Sequence, residues 1–476
     1  SACRRVAIYR GLHDEPDSRT QRVRAGIPDP TVRSMSRWPV AGRQTLLLAA
    51  ASATLLAACS SPTEPRAAPA ASAAATATPA PVPASTRCPD EGTPAPPEGP
   101  REDAVVAQEA TAQNLQVDVV RYPRPDYEGE PWSHWGQGLV LPDGRLLTAI
   151  GDHRGEDGNS FLLVYDPSSR SMTRVGDVAA QLGEDTDWGF GKVHGQIVAG
   201  ECGEAFLSTY WGTRKGLEYT DFYRGDVLFR VDTATLAMEP LGTLVEEHGV
   251  PSLAGSPDGR LLYAEAVDPS PDEDVGRDSG AFVVLDAATR DVVFRSDTLD
   301  HSGFRNVMTG ADQKAYVAAP DDRLLVYESG ATDLVEHPQR LNPGGTLRAS
   351  TQPTDDGRVF FATHNPDHFY VLEPDGSITP LGPAAGYTTS MAAEPDGSRF
   401  YYVPGAHGRV PELGTPVIAV DPSTGEQTTV AGLDDLVVSA LDLHTSGSYS
   451  VVLDDDRRRL FVTLNAGPDS DDRWGE

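Results

Sequence analysis

Ser256-Pro257-Asp258-Gly259-Arg260-Leu261-Leu262-Tyr263 reads as the turn of a β-hairpin. Asp-Gly supplies the positive-φ position that a tight turn needs, and apolar runs lie on both sides of it. Variants return at Leu141-Pro142-Asp143-Gly144-Arg145-Leu146-Leu147, at Thr354-Asp355-Asp356-Gly357-Arg358-Val359-Phe360 and at Glu394-Pro395-Asp396-Gly397-Ser398-Arg399-Phe400. Weaker copies sit at Glu201-Cys202-Gly203, Ala311-Asp312-Gln313 and Asp455-Asp456-Arg457. The seven turns fall 40 to 60 residues apart. That period, built from short strands, points to an all-β fold, a seven-bladed β-propeller of four-stranded blades, rather than a helical solenoid.

A second signature follows each hairpin: an apolar strand that runs into an acidic turn. Examples are Phe161–Asp166 before Pro167-Ser168-Ser169, Val227–Asp232 before Thr233-Ala234-Thr235, and Val417–Asp421 before Pro422-Ser423-Thr424-Gly425. These supply the two outer strands of a blade whose inner strands flank the Asp-Gly turn. Residues 104–476 accordingly form the propeller. Its last unit has only Tyr449–Leu453 and Arg459–Leu464, so the final blade reads as truncated. The alternating stretch Leu115–Tyr122 is expected to enter that blade and close the ring, which removes an exposed sheet edge.

The chain begins with Ser1, and residues 1–34 show no periodic pattern and read as an upstream extension. Residues 35–58 have the form of a signal peptide: Arg37 and Arg43 precede Thr45–Ala58, a run of 14 residues that is too short to span a bilayer. It ends Leu56-Ala57-Ala58-Cys59, which resembles the lipobox of bacterial lipoproteins. The resemblance implies cleavage before Cys59, a lipid on its sulfur, and an extracytoplasmic location held to the membrane by that anchor alone. Residues 59–103 then form a linker. Of the 41 residues in Ser60–Pro100, 11 are Pro and 11 Ala, a composition that cannot bury a core.

Lys+Arg 39 against Asp+Glu 70 gives a net charge of −31. Without residues 1–58, which hold nine Arg and four acidic residues, the balance is −36. Such a surface argues against nucleic acid as a partner and against adhesion to anionic lipid. The partner is expected to be a small molecule or an envelope protein, and the chain a monomer. Of its four cysteines, Cys88 and Cys202 remain once Cys3 and Cys59 are set aside, and an even pair in an oxidising compartment is a disulfide candidate.

The turns and their spacing resemble the broad class of secreted seven-bladed propellers, which includes WD-repeat-like, YVTN lactonase-like and gluconolactonase-like proteins. The resemblance covers residues 104–476 and bears on fold more than on chemistry. Quinoprotein propellers carry a tryptophan just beyond an Asp-x-x-Thr-Gly turn. Here Asp421–Gly425 is followed by Glu426-Gln427-Thr428-Thr429-Val430, which argues against a quinone cofactor.

Residues before the first strand of a blade and after its second strand share one mouth of the central channel. Histidines recur in those slots: His134, His194, His248 and His301 before, and His153, His364 and His407 after. Imidazoles converging on a channel could hold a divalent metal, with His194, His248 and His301 as the candidate ligands. A metal there would act as a Lewis acid on a carbohydrate- or lactone-like substrate in a lyase or hydrolase. Streptogramin lyase and oligogalacturonate lyase look similar in that gross respect, without a residue-by-residue match. Alternatively, pairs such as His194-Gly195 and His248-Gly249 are blade architecture, as the Gly-His pair of WD repeats is. Trp188, Trp211 and Arg214 are candidates for a ligand-binding wall. No Gly-x-Ser-x-Gly, His-Glu-x-x-His or P-loop pattern is present. The leading expectation is a lipid-anchored propeller that binds a ligand or partner at the histidine-bearing mouth. The competing one is a metal-dependent enzyme using the same mouth.

Overall fold

The computed structural model describes residues 115–123, 133–152, 158–183, 189–210, 223–267, 280–297, 307–405, 414–454, 456 and 458–468, with Cys88 and the strands Arg5–Gly11, Arg101–Glu102 and Val106–Ala112. The chain falls into two units, Ser1–Asp14 with Ala84–Glu476, and Glu15–Pro83, the second lying outside the described residues. The expected signal peptide and Cys59 therefore also lie outside them.

The repeated turns fold as their chemistry requires. Gly144, Gly259, Gly357 and Gly397 take φ of 85°, 71°, 84° and 66°. The aspartate before each glycine accepts a hydrogen bond from the backbone N–H two residues on, as Asp258 does from Arg260 and Asp143 from Arg145. The acidic turns between outer strands work the same way. Asp232 accepts from the N–H groups of Ala234 and Thr235, and Asp421 from that of Ser423. The Ser423 hydroxyl and N–H hold the Asp421 carboxyl below the usual carboxylate range.

Each blade is an antiparallel meander. The third runs Gly249–Gly255, Leu261–Val267, Gly280–Asp286 and Val292–Ser296 from the axis outward. Six blades are built from such consecutive strands, not the seven expected. The remaining sheet is a composite of five strands, in the order Val106–Ala112, Leu115–Val120, Arg5–Gly11, Arg459–Gly467, His444–Asp454. Arg5–Gly11, from the stretch read as an upstream extension, runs parallel to both neighbours, with Arg5 opposite Arg459 and Gln116. Leu115–Val120 thus enters the sheet that closes the ring, as its alternation suggested. Two short helices, Val178–Leu182 and Leu433–Leu441, are the described departures from an all-β chain.

The core lies between sheets. Successive residues of a strand point to opposite faces, and here both faces are covered. Phe361 packs with Tyr316 and Leu324 of the fourth blade, while its neighbour Phe360 packs with Phe400 and Tyr402 of the sixth. Leu147 faces the second blade and Leu146 the composite sheet. This two-sided burial is why the second strand of each blade reads as a continuous apolar run. At ~25 cal/mol per Å² of apolar surface, these inter-sheet layers are the main source of stability. Cys88 and Cys202 are joined as a disulfide, Cα–Cα 5.5 Å, which fixes the end of the linker to the first turn of the second blade.

Candidate functional site

A small cavity of about 20 Å³ lies on the axis, lined among others by Trp135, His194, Arg348, Thr389 and Tyr449. These residues come from the innermost strands, or the approaches to them, of blades one, two, five and six and of the composite sheet. Residues from non-adjacent sheets can meet only around the channel.

Strand irregularities aim several of them. In the fifth blade Leu347 pairs with Thr363 and Ala349 with Ala362, so Arg348 is an extra residue in its strand. In the composite sheet Ser448 pairs with Leu464 and Ser450 with Thr463, which leaves Tyr449 extra in the same way. In the second blade Val193 pairs with Thr209 and Val198 with Phe206, and His194 falls in the irregular gap between. A β-bulge bends its strand and re-aims the extra side chain, here toward the axis.

The cavity wall joins aromatic rings to the buried Arg348, and a second buried cation, Lys192, stands against the wall residue Trp135. Trp135 and Tyr449 have ring centroids 4.9 Å apart, and Tyr387 packs against the pair. Lys192 is 4 % exposed and Arg348 is 6 % exposed. The Lys192 ammonium sits 4.1 Å from the Trp135 ring centre and 5.3 Å from that of Tyr210. The Arg348 guanidinium lies 5.1 Å from the Tyr387 ring centre and donates from Nε to the Tyr387 hydroxyl. Aromatic faces offset part of the cost of burying these cations. Asp226 accepts from Val250 N–H and from the Thr209 hydroxyl, and Glu265 from the Ser252 hydroxyl.

The histidines occupy different settings. His194 lines the cavity, its ring 5.0 Å from Tyr210, with Nδ1 2.8 Å from the carbonyl of Pro251 in the next blade. That bond crosses between blades rather than staying within one. His364 lies with its ring 4.1 Å from Tyr387, and its Nδ1 is 2.8 Å from Asp367. His134 is not in the cavity wall. Its backbone exchanges hydrogen bonds with the Asn465 side chain in the composite sheet, and burial pushes its imidazole from 6.5 down to about 3. His248 holds Nδ1 2.8 Å from the Glu246 carbonyl. His153, His301, His407, Trp188, Trp211 and Arg214 lie outside the described residues.

The glycines after two of these histidines have a packing reason. A Cβ on Gly195 would stand 2.8 Å from the Leu253 nitrogen, and one on Gly249 2.9 Å from the Tyr210 ring. Neighbouring blades approach so closely at the axis that only glycine fits. Among the described residues no group of three or more His, Cys, Asp or Glu is placed to hold a metal ion. His194 and His248 each commit Nδ1 to a carbonyl, and the third candidate ligand, His301, lies outside that set.

Lys192, Arg348, Tyr387 and Tyr449 were not singled out from sequence. One signal was available for Lys192: it is one of only three lysines in the chain and stands two residues before His194. Arg348 and Tyr449 owe their positions to bulges, which no turn motif marks.

A second and larger cavity, of about 220 Å³, lies farther along the same inner strands. Gln137 lines both cavities. Its wall includes Met391, Ala392, Ala393, Val452 and Leu453.

No protein-family model matches the chain, and no curated protein matches it in sequence. Some solved structures resemble it at low similarity. It is similar to an oligogalacturonate lyase in complex with manganese, at 15 % identity over 71 % of this chain and 86 % of that one, TM-score 0.45. It is similar to the periplasmic gluconolactonase of Pseudomonas aeruginosa, at 15 % identity over 62 % of this chain and 84 % of that one, TM-score 0.41. It is also similar to the Dos1 propeller, at 12 % identity and TM-score 0.40, covering 56 % of this chain and 63 % of that one. Likeness at this level concerns fold alone. By its own strand order the chain is a β-propeller of four-stranded blades, with a lactonase and a lyase among its fold neighbours.

Proposed function

We propose that this propeller binds a small anionic ligand at the mouth of its central channel. The supporting observation is the buried Arg348 in the wall of an axial cavity, with the buried Lys192 against Trp135 of the same wall, in a chain of net charge −31. A cation beside a low-dielectric wall attracts a carboxylate far more strongly than a solvated one does. Arg348 supplies a planar donor group suited to a carboxylate, and Trp135 and Tyr449 supply a face for the body of the ligand. The lipobox-like Leu56–Cys59 supports an extracytoplasmic, lipid-anchored setting, in which the ligand comes from outside the cell membrane.

Calorimetric titration of the full chain with small carboxylates and their neutral analogues tests this. Saturable binding of the carboxylates, lost in Arg348→Gln, is expected. Equal binding of neutral analogues, or no binding by any carboxylate, would overturn it.

A second reading is a metal-dependent lyase or hydrolase acting on a carbohydrate- or lactone-like substrate at the same mouth. It draws on His194 in the cavity wall and His364 beside Tyr387. About one tightly held metal per chain on elemental analysis, lost in His194→Ala, is the result that would favour it over a metal-free binding site.

A further inference from the structure

The two axial cavities differ in character. The upper one is bounded by Arg348, His194 and the Trp135–Tyr449 pair. The lower one has an apolar side made by Met391, Ala392, Ala393, Val452 and Leu453, with Gln352, Thr354 and Glu394 also in its wall. The same inner strands serve both. Thr389 lines the upper cavity and Met391 the lower, Ser350 the upper and Gln352 the lower, Tyr449 the upper and Val452 the lower. Two to three residues along a strand are roughly 7–10 Å, so the chambers lie in series on the axis. Gln137 lines both and stands between them. The lower chamber reaches the turns Pro353-Thr354 and Glu394-Pro395, which are tied together by the bond from Asp355 N–H to the Pro395 carbonyl.

We infer that the channel takes an amphipathic carboxylate, with its charged head beside Arg348 and an aliphatic tail passing Gln137 into the lower chamber. Apolar walls alone would accept any hydrocarbon, and the cation alone any small anion. Cation and apolar chamber in series select a molecule that is both, and the separation calls for a flexible unbranched tail rather than a compact ring. A polar sugar acid held at the upper cavity would leave the apolar Met391–Val452 side uncovered. This inference rests on the binding reading above and specifies its ligand class.

Titration with octanoate, acetate and octanol separates the two claims. Octanoate is expected to bind one per chain, at least about tenfold tighter than acetate, because its extra methylenes are buried. Octanol should bind more weakly than octanoate for want of the charge. Arg348→Gln should remove the preference of octanoate over octanol. Val452→Trp, which fills the lower chamber, should bring octanoate down to the affinity of acetate while leaving acetate unchanged. Ala393→Trp repeats that test from another strand, should Val452→Trp fail to fold by circular dichroism. Acetate binding as tightly as octanoate, with both lost in Arg348→Gln, would overturn the tail and leave the anion site standing. Binding of none of the carboxylates would remove the anion site as well.

Discussion

Lys192 holds its ammonium 4.1 Å from the centre of the Trp135 ring, a contact that joins the inner edges of two neighbouring blades beside the channel. Lysine is strongly hydrated, and burying it at 4 % exposure is costly unless something nearby compensates. A cation–π contact is worth ~0.5–2 kcal/mol, more when desolvated. Lys192→Met keeps the length of the stem and removes the charge. Its unfolding free energy is expected to stay within about 1 kcal/mol of wild type, because the lost attraction and the lost desolvation cost oppose each other. Carboxylate affinity should nevertheless fall about tenfold or more, and tryptophan emission should shift. Unchanged affinity would remove Lys192 from the site.

Arg348 invites a finer test. Arg348→Lys retains the positive charge but lacks the planar fork, and with it the combined stacking and Nε bond to Tyr387. Affinity for a carboxylate is expected to drop to a level between wild type and Arg348→Gln. A lysine variant indistinguishable from wild type would show that only the charge matters.

The His134 imidazole, pushed by burial from 6.5 to about 3, makes stability depend on pH. The unfolded chain takes up the proton near 6.5 and the folded chain only near 3, so between those values the unfolded state binds more protons. The contribution is fully present above 6.5 and is lost as pH falls toward 3, a change on the order of 5 kcal/mol. His134→Gln does not titrate. The gap in stability between wild type and this variant should therefore narrow steadily as pH is lowered through that window. A gap that stays constant in denaturant titrations would place the proton elsewhere.

Gly195→Ala would put a methyl group 2.8 Å from the Leu253 nitrogen and 3.2 Å from its Cβ. Both neighbours belong to a packed inner strand, so the blades must separate. A loss of about 1–3 kcal/mol is expected, the range for overpacking a core. Thermal denaturation of Gly195→Ala beside Gly183→Ala is the check, since nothing lies within 4 Å of a Cβ at Gly183 but its φ is positive. The Gly195 variant should lose stability through crowding, and Leu253→Ala, which keeps the crowded nitrogen and Cβ, should not restore it.

The Cys88–Cys202 disulfide spans a sequence separation of 114 residues that includes the whole first blade. Closing so long a loop restricts the unfolded chain strongly, and losing the bridge typically costs about 2–5 kcal/mol. Cys88→Ser with Cys202→Ser should unfold at correspondingly lower urea, and wild type with reductant should match it. Equal midpoints with and without reductant would show that the linker end contributes nothing to the propeller.

Much of the architecture could be read before any coordinates. Asp258-Gly259 and its counterparts demand a positive φ, which an L-residue with a Cβ resists, and so they mark each inner hairpin unambiguously. Two-sided burial left apolar runs such as Val359-Phe360-Phe361-Ala362, and the compartment suggested by Leu56–Cys59 led to the pairing of Cys88 with Cys202. The count of blades misled, because the composite sheet repeats the turn spacing but draws its other strands from the far end of the chain. Pairing of Arg5–Gly11 with Arg459–Gly467 is a long-range choice that no local pattern encodes.

The axial site was legible only in part, and for a definite reason. His194 stood out as a residue type in a repeated slot, and its glycine neighbour betrayed close packing. Arg348, Tyr387 and Tyr449 did not, because an arginine on a strand reads as a solvated face until a bulge turns it inward. Local turn and strand chemistry acts over a few residues and is written in their order. Which side chains meet at the axis depends on the register of seven sheets at once, and that is settled only when the ring closes.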